Sequence, residues 1–253
     1  MAFRFRSRES LADGLRRLAR AELSSTRHQL QGATPPDDEA IHGARKSIKK
    51  TRAIVQLCEA DDATGLAGCR KRLRKINREL SQLRDAHAVL ETLAVLQRKA
   101  SPKDRAAHNR IRRQLVSRKH TAVRRAVAED TWRMIDEECR KLRKAAGRWE
   151  LKHAGFAALA PGIRQSYVGG RKALARAKKT GHAADFHEWR KQVKTLWYEL
   201  RLIEGANAPL DAHIAPSPTF GMPATGCSEV CDGARSSVER VLIGRAQKRS
   251  CAA

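Results

Sequence analysis

The sequence predicts an all-α protein built as a helical bundle, on three observations. Apolar residues recur at the helical period almost without interruption from about residue 11 to residue 204. No segment shows convincing strand alternation. The connections between the long amphipathic segments are short and marked by Gly or Pro, which implies antiparallel neighbours.

Leu11, Leu15, Leu18 and Leu23 mark a first helix. Pro35-Pro36 stops the chain, and Asp37-Asp38 then places acids in a first turn, where the helix dipole favours them. The helix that follows covers roughly 37–60, with Ile41, Ala44, Ile48 and Val55 on one face. A long helix from about 66 to 99 is carried by Leu66, Leu73, Ile76, Leu80, Leu83, Leu90 and Leu93. Ser101-Pro102 breaks it, with Pro at a first-turn position whose N–H would be unpaired in any case. Helices near 103–128, 130–147, 155–180 and 183–204 complete the pattern.

Beyond residue 206 the character changes. Residues 206–253 hold four of the eight prolines and three of the six cysteines. Their charge is about +1, five Lys plus Arg against four Asp plus Glu, whereas residues 1–205 carry +24. Asn207 to Pro223 has no periodicity, and Val238 to Ile243 is one short candidate helix.

The charge bounds the function. With 52 Lys plus Arg against 27 Asp plus Glu, the chain carries a formal +25, which resists compaction and draws polyanions. Nucleic acid, an anionic membrane and an inorganic phosphate chain all qualify. Only 11 of 253 residues are Phe, Trp or Tyr, and most of these occupy core-type positions. Single-stranded nucleic acid is usually gripped by stacking on aromatic faces, so the composition leans toward phosphates without bases. No run approaches the roughly 20 apolar residues of a membrane span, and Met1-Ala2-Phe3-Arg4-Phe5-Arg6 lacks a secretory core, so a cytoplasmic address is expected. Cys58, Cys69, Cys139, Cys227, Cys231 and Cys251 show no metal-site spacing and are expected as free thiols.

One internal echo carries the chemistry. Ile41-His42-Gly43-Ala44-Arg45-Lys46-Ser47-Ile48-Lys49 returns 145 positions later as Phe186-His187-Glu188-Trp189-Arg190-Lys191-Gln192-Val193-Lys194. On a helix the His, Arg/Lys and Lys positions form one stripe and the apolar positions an adjacent one. Each helix therefore buries one side and presents a ladder of cations about one turn apart, suited to a linear polyanion. Arg grips phosphate oxygens bidentately and Lys adds a point charge. A nearby anion would also favour protonated histidine. A third basic element runs Arg70-Lys71-Arg72-Leu73-Arg74-Lys75-Ile76-Asn77-Arg78 into Leu83-Arg84-Asp85-Ala86-His87, with Arg74, Arg78 and Ser81 on one stripe. Arg84 and Asp85 are expected as a local structural pair. His87 either orients Asp85 or faces the ligand. Trp189, Trp197 and Tyr198 are expected in the core, and His28, His108, His120, His153, His182 and His213 in structural or solvated roles.

The two His helices, the Leu80-to-His87 stretch and Lys194-Thr195-Leu196-Trp197-Tyr198-Glu199-Leu200 resemble the CHAD domain, the conserved histidine alpha-helical domain. The resemblance implies two similar antiparallel bundles around a basic central cleft, over residues 8–205, the first covering about 8–148 and the second starting near 150. It implies binding of inorganic polyphosphate, often at polyphosphate granules, with phosphate or sulfate ions as possible occupants. Carried onto this chain it marks His42, Arg45, Lys49, Arg52, His187, Arg190 and Lys194, and also Arg74, Arg78 and Arg84; Lys46 and Lys191 join them from the ladders. Trp197 stands where relatives often have Arg. Adding 145 to His87 lands on Asp232, so no histidine repeats there, and 206–253 is read as a truncated or frame-shifted end that leaves the second bundle incomplete.

An enzyme is not expected. No clustered Asp/Glu set lies on the basic helices to hold Mg²⁺, and no phosphate-binding glycine loop occurs. Neither a metal nor a cofactor is expected. The alternatives are nucleic-acid (RNA) binding by the same surface and, further down, a phosphohistidine carrier at His42.

Overall fold

The computed structural model describes residues 3–6, 9–99, 103 and 105–204. Within them are seven α-helices and no strand, so the all-α expectation holds. They are α1 (Leu11–Leu30), α2 (Asp38–Ala60), α3 (Cys69–Lys99), α4 (Arg105–Ala128), α5 (Thr131–Ala146), α6 (Phe156–Thr180) and α7 (Ala183–Ile203).

The ends follow local chemistry. Ser10 caps α1 by accepting from the Asp13 N–H at 3.1 Å, and Asp37 caps α2 by accepting from the Ala40 N–H at 2.7 Å. Each such cap contributes about 1 kcal/mol. At the other end of α6, Gly181 takes φ +66°, where its N–H reaches the Ala177 carbonyl at 2.9 Å. Pro161 lies in the second turn of α6 without ending it, because buried Leu159 and Ile163 on either side fix that turn against the core.

α2 is the central element. It packs against α1, α3, α6 and α7, while α5 lies on α1 and α4 on α3. Ala44, Ile48, Ile54 and Leu57 of α2 are fully buried, together with Leu15 and Leu23 of α1 and Leu73, Ile76 and Leu80 of α3. The crossing of α2 with α6 is close: a Cβ on Gly162 would stand 2.9 Å from the Cα of Leu57. Only a residue without a side chain fits there. Asp61, buried at the end of α2, accepts from the Lys152 and His153 N–H groups at 2.8 and 3.2 Å and lies 2.7 Å from His153 Nδ1. His153 thus has the structural role expected of it.

The N-terminal segment belongs to the core, which was not expected. Phe3 and Phe5 are buried, the Phe5 N–H donates to the Leu202 carbonyl at 2.9 Å, and the Phe3 ring meets Tyr198 edge-on at 6.2 Å. Leu66 precedes α3 and does not begin it, yet it is buried. Cys58, Cys69 and Cys139 are free and buried. Both copies of the His motif lie in helices, α2 and α7. A complete second bundle needs helices after α7. Those residues, with Cys227, Cys231, Cys251, His213 and the Val238–Ile243 segment, lie outside the described residues, so the two-bundle repeat remains an expectation from the sequence.

A polar thread joins α2, α6 and α7. Gln56 Nε2 donates to Ser166 Oγ at 2.8 Å, and Ser166 Oγ donates to Glu199 Oε1 at 2.8 Å. Glu199 is fully buried and its Oε2 has no partner among the described residues. Burial pushes its pKa up to about 8, against the smaller opposing effect of the Ser166 hydrogen bond. The folded protein therefore keeps a proton that the unfolded chain loses above about 4.5. Stability from this group is full below pH 4.5 and falls as pH rises toward 8, by at most about 1.4 kcal/mol per unit. Glu199→Gln should remove this slope. In denaturant titrations the variant is expected to gain on the parent between pH 5 and pH 8; a constant difference across that range would contradict a neutral Glu199.

Candidate functional site

The same packing that buries one side of α2 turns its cations outward. Ala44 and Ile48 face the core; His42, Arg45, Lys46, Lys49 and Arg52 occupy the remaining surface. Lys50 points the other way, with Nζ 2.7 Å from Glu22 of α1 and 4.9 Å from the Phe3 ring centroid. Successive lysines are thus divided between a structural pair and the open face.

Two other helices add cations to that face. Arg84 of α3 acts on His42 and Arg45, and Arg74 and Arg70 of α3 act on Arg52. Arg190 and Lys194 of α7 act on Lys49, and Lys46 acts on Lys194. The cations of α2 and of its neighbours α3 and α7 thus form one basic face, the trough. Desolvation by the surrounding protein, then repulsion from Arg45, Arg190, Lys194 and Arg52, brings the Lys49 pKa down to about 8. Lys49 keeps much of its surface open to water. Both facts fit a side chain hemmed in laterally and not sealed in. Lys194 is lowered by burial and then by Arg190, Lys46 and Arg201. His42 is lowered by burial first and then by Arg84, Lys46, Lys49 and Arg45, which favours neutral imidazole in the free protein.

Two acids line the α3 edge. Arg45 donates to Ser81 Oγ at 3.1 Å and touches Asp85 at 3.4 Å. Arg84 reaches Glu91 at 2.7 Å. The expected Arg84–Asp85 pair does not form, because adjacent helical residues diverge by about 100°. Asp85 and Glu91 are 70% and 54% exposed, so water screens both pairs and neither fully satisfies its guanidinium. Arg45 Nε, Arg84 Nη1 and Arg201 Nε are buried with no hydrogen-bond partner among the described residues. A buried N–H without an acceptor costs about 1–3 kcal/mol, so an anion in the trough would relieve a cost already present.

His42, Arg45, Lys46, Lys49, Arg52, Arg74, Arg84, Arg190 and Lys194 are thus brought together. Arg78 stands apart, 70% exposed and 4.0 Å from Glu79. His187 and Lys191 are exposed near the start of α7, and Lys191 pairs with Glu188. The partners of His87 are not Asp85 but Asp38 and Glu91. Its Nδ1 lies 2.8 Å from Asp38, which Lys119 also contacts, and its Nε2 lies 3.2 Å from Glu91. It ties the start of α2 to α3 and α4. Arg70 and Arg201 were not among the expected residues. Arg201 was findable by spacing, since it lies seven residues after Lys194 on the same stripe. Trp189 and Tyr198 are buried as expected; Trp197 is only half-buried and lies beneath Lys194. Among the described residues no group of three His, Cys, Asp or Glu side chains is placed to hold a metal ion, and no helix is long and apolar enough to cross a membrane.

A model of the CHAD domain family matches residues 11–216. No curated protein matches the chain. Among solved structures, the fold is similar to that of the CHAD domain from the plant Ricinus communis, with a TM-score of 0.64 and 15% sequence identity, covering 99% of this chain and 84% of that one. It is similar as well to PptA from Streptomyces chartreusis, with a TM-score of 0.59 and 18% identity, covering 94% of this chain and 97% of that one. At these identities the likeness is one of fold.

An anion entering the trough raises the pKa values of Lys49 and His42, since it favours their charged forms. At pH 8 Lys49 is close to its own pKa, so binding should draw protons from solution. Titration of the protein with tripolyphosphate at pH 8 is expected to give a heat that changes with the ionisation enthalpy of the buffer. Lys49→Gln should remove most of that dependence, and a buffer-independent heat in the parent would show that Lys49 is already fully charged.

Proposed function

The chain belongs to the CHAD domain family, and on that premise we propose that it binds inorganic polyphosphate non-catalytically along the trough. One observation carries the reading: α2 and α7 are in contact, and cations of both meet there, close enough for Arg190 and Lys194 to lower the pKa of Lys49. Single basic helix faces are common and are usually solvated. Two that converge at a cost in repulsion call for a multivalent anion to offset it.

Arg45, Arg52, Arg84 and Arg190 would take phosphate oxygens through paired N–H groups, and Lys46, Lys49 and Lys194 would neutralise successive phosphates. His42 would donate a hydrogen bond, gaining charge as the chain settles. Cations on one stripe recur about every 5.4 Å, one helical turn, which suits a flexible chain with a charge on every unit. The reading places the protein in the cytoplasm, at polyphosphate granules.

RNA shares the electrostatic part of the case. It gains less from the remainder, because the Trp197 ring is engaged by Lys194 and Arg201. A phosphohistidine carrier needs only one accessible His, so a second matched ladder and a charge of +25 would be superfluous to it.

Lys49→Glu combined with Lys194→Glu should nearly abolish polyphosphate binding while leaving helicity unchanged. Six to ten engaged cations correspond to a log–log salt slope of about −4 to −7. In competition at fixed ionic strength, matched by phosphate concentration, long-chain polyphosphate is expected to outbind single-stranded RNA and duplex DNA by about tenfold, or 1.4 kcal/mol. Equal affinities would put nucleic acid first, and undiminished binding by the double variant would move the site elsewhere.

A further inference from the structure

The internal echo sets Arg52 of α2 against Trp197 of α7, so the second ladder lacks a cation where the first has one. The Trp197 ring is nevertheless flanked by two. Lys194 Nζ lies 3.8 Å from its centroid and the guanidinium carbon of Arg201 lies 5.1 Å from it. Tyr198 supports the ring from the core side, at 5.0 Å between centroids and a tilt of 58°. His187, Lys194 and Arg201 are spaced seven apart, two turns each, so Arg201 continues the stripe one step past Trp197. Its side chain is 41% exposed. Its buried Nε lies 3.3 Å from Glu204, an ion-pair contact without hydrogen-bond alignment.

We propose that Arg201 is a further polyphosphate-binding cation, standing in for the arginine missing at 197, and that Trp197 is the positioning residue that holds Arg201 and Lys194 toward the trough. This inference rests on the polyphosphate reading. A carboxylate could hold two cations equally well, but it would cancel one of their charges. An aromatic face attracts both through its quadrupole and leaves the net charge intact. It also restricts two long side chains before the ligand arrives, which lowers the ordering cost at binding. Trp197 therefore exchanges a direct phosphate contact for control over two neighbours.

The test uses the full chain and long-chain polyphosphate at several salt concentrations, with helicity and melting checked for each variant. Arg201→Gln is expected to bind about five- to tenfold more weakly, with a salt slope shallower by about 0.7, one phosphate contact on a single-stranded scale. Arg201→Lys should keep the slope and lose only part of the affinity. Trp197→Ala is expected to weaken binding about three- to fivefold with the slope unchanged, because no charge is removed, and Trp197→Phe should restore it. Parent affinity and slope in Arg201→Gln would remove Arg201 from the site. Parent affinity in Trp197→Ala, or no rescue by Phe, would remove the positioning role. Either result leaves polyphosphate binding standing, whereas a parent that does not bind polyphosphate brings down both readings.

Discussion

Like charges held together are the constraint on which the rest of the structure depends. Arg45, Arg190, Lys194 and Arg52 all lie close enough to Lys49 to lower its pKa, and nothing in their own chemistry keeps them there. On an isolated helix each like-charged pair costs a few tenths of a kcal/mol. Burying one Ile or Leu contributes about 1.5–3 kcal/mol. With Ile41, Ile48, Ile54, Val55 and Leu57 buried along α2, packing outweighs the repulsion on its opposite side. The trough is cationic because the core beneath it can bear the strain.

Where the acids stand matters as much as how few they are. Asp136 is shared between Arg27 at 2.6 Å and Arg140 at 2.8 Å, and Glu22 takes Lys50 at 2.7 Å. Asp61 is used up by the loop at 152–153. These carboxylates bind cations or amides whose task is structural. Around the trough Asp85 and Glu91 approach from the α3 side, both mostly in water, and Glu204 touches Arg201 at the end of α7. The α7 side also meets an aromatic ring. Positive charge is left largely unpaired on the open face of α2 and neutralised where it would only destabilise the bundle.

Much of this was legible in the sequence. Helix boundaries followed from Pro35-Pro36, the acids Asp37-Asp38 and the Leu and Ile spacing, since such signals act within a few residues. The His ladders were legible because their spacing repeats. Contacts between distant segments were not. Nothing near Phe3 and Phe5 marks them as core, because their partners Tyr198 and Leu202 come nearly 200 residues later. Arg84 and Asp85 suggested a pair by adjacency, yet helical geometry sends them to different partners. Trp197 read as core; its contact with Arg201, one turn beyond, shows only in the fold. Sequence spacing reveals which residues share a face, but not which face another helix will meet.

The bare Cα of Gly162 against Leu57 bears on this division between core and site. α6 carries α7, and α7 carries one side of the trough, so the depth to which α6 sinks onto α2 sets where that side stands. The Gln56–Ser166–Glu199 hydrogen bonds, being directional, fix the angle as well. The breadth of the trough is in this sense a gauge machined from the opposite side of α2. A single methyl group added at position 162 would be felt by a guest that never touches it.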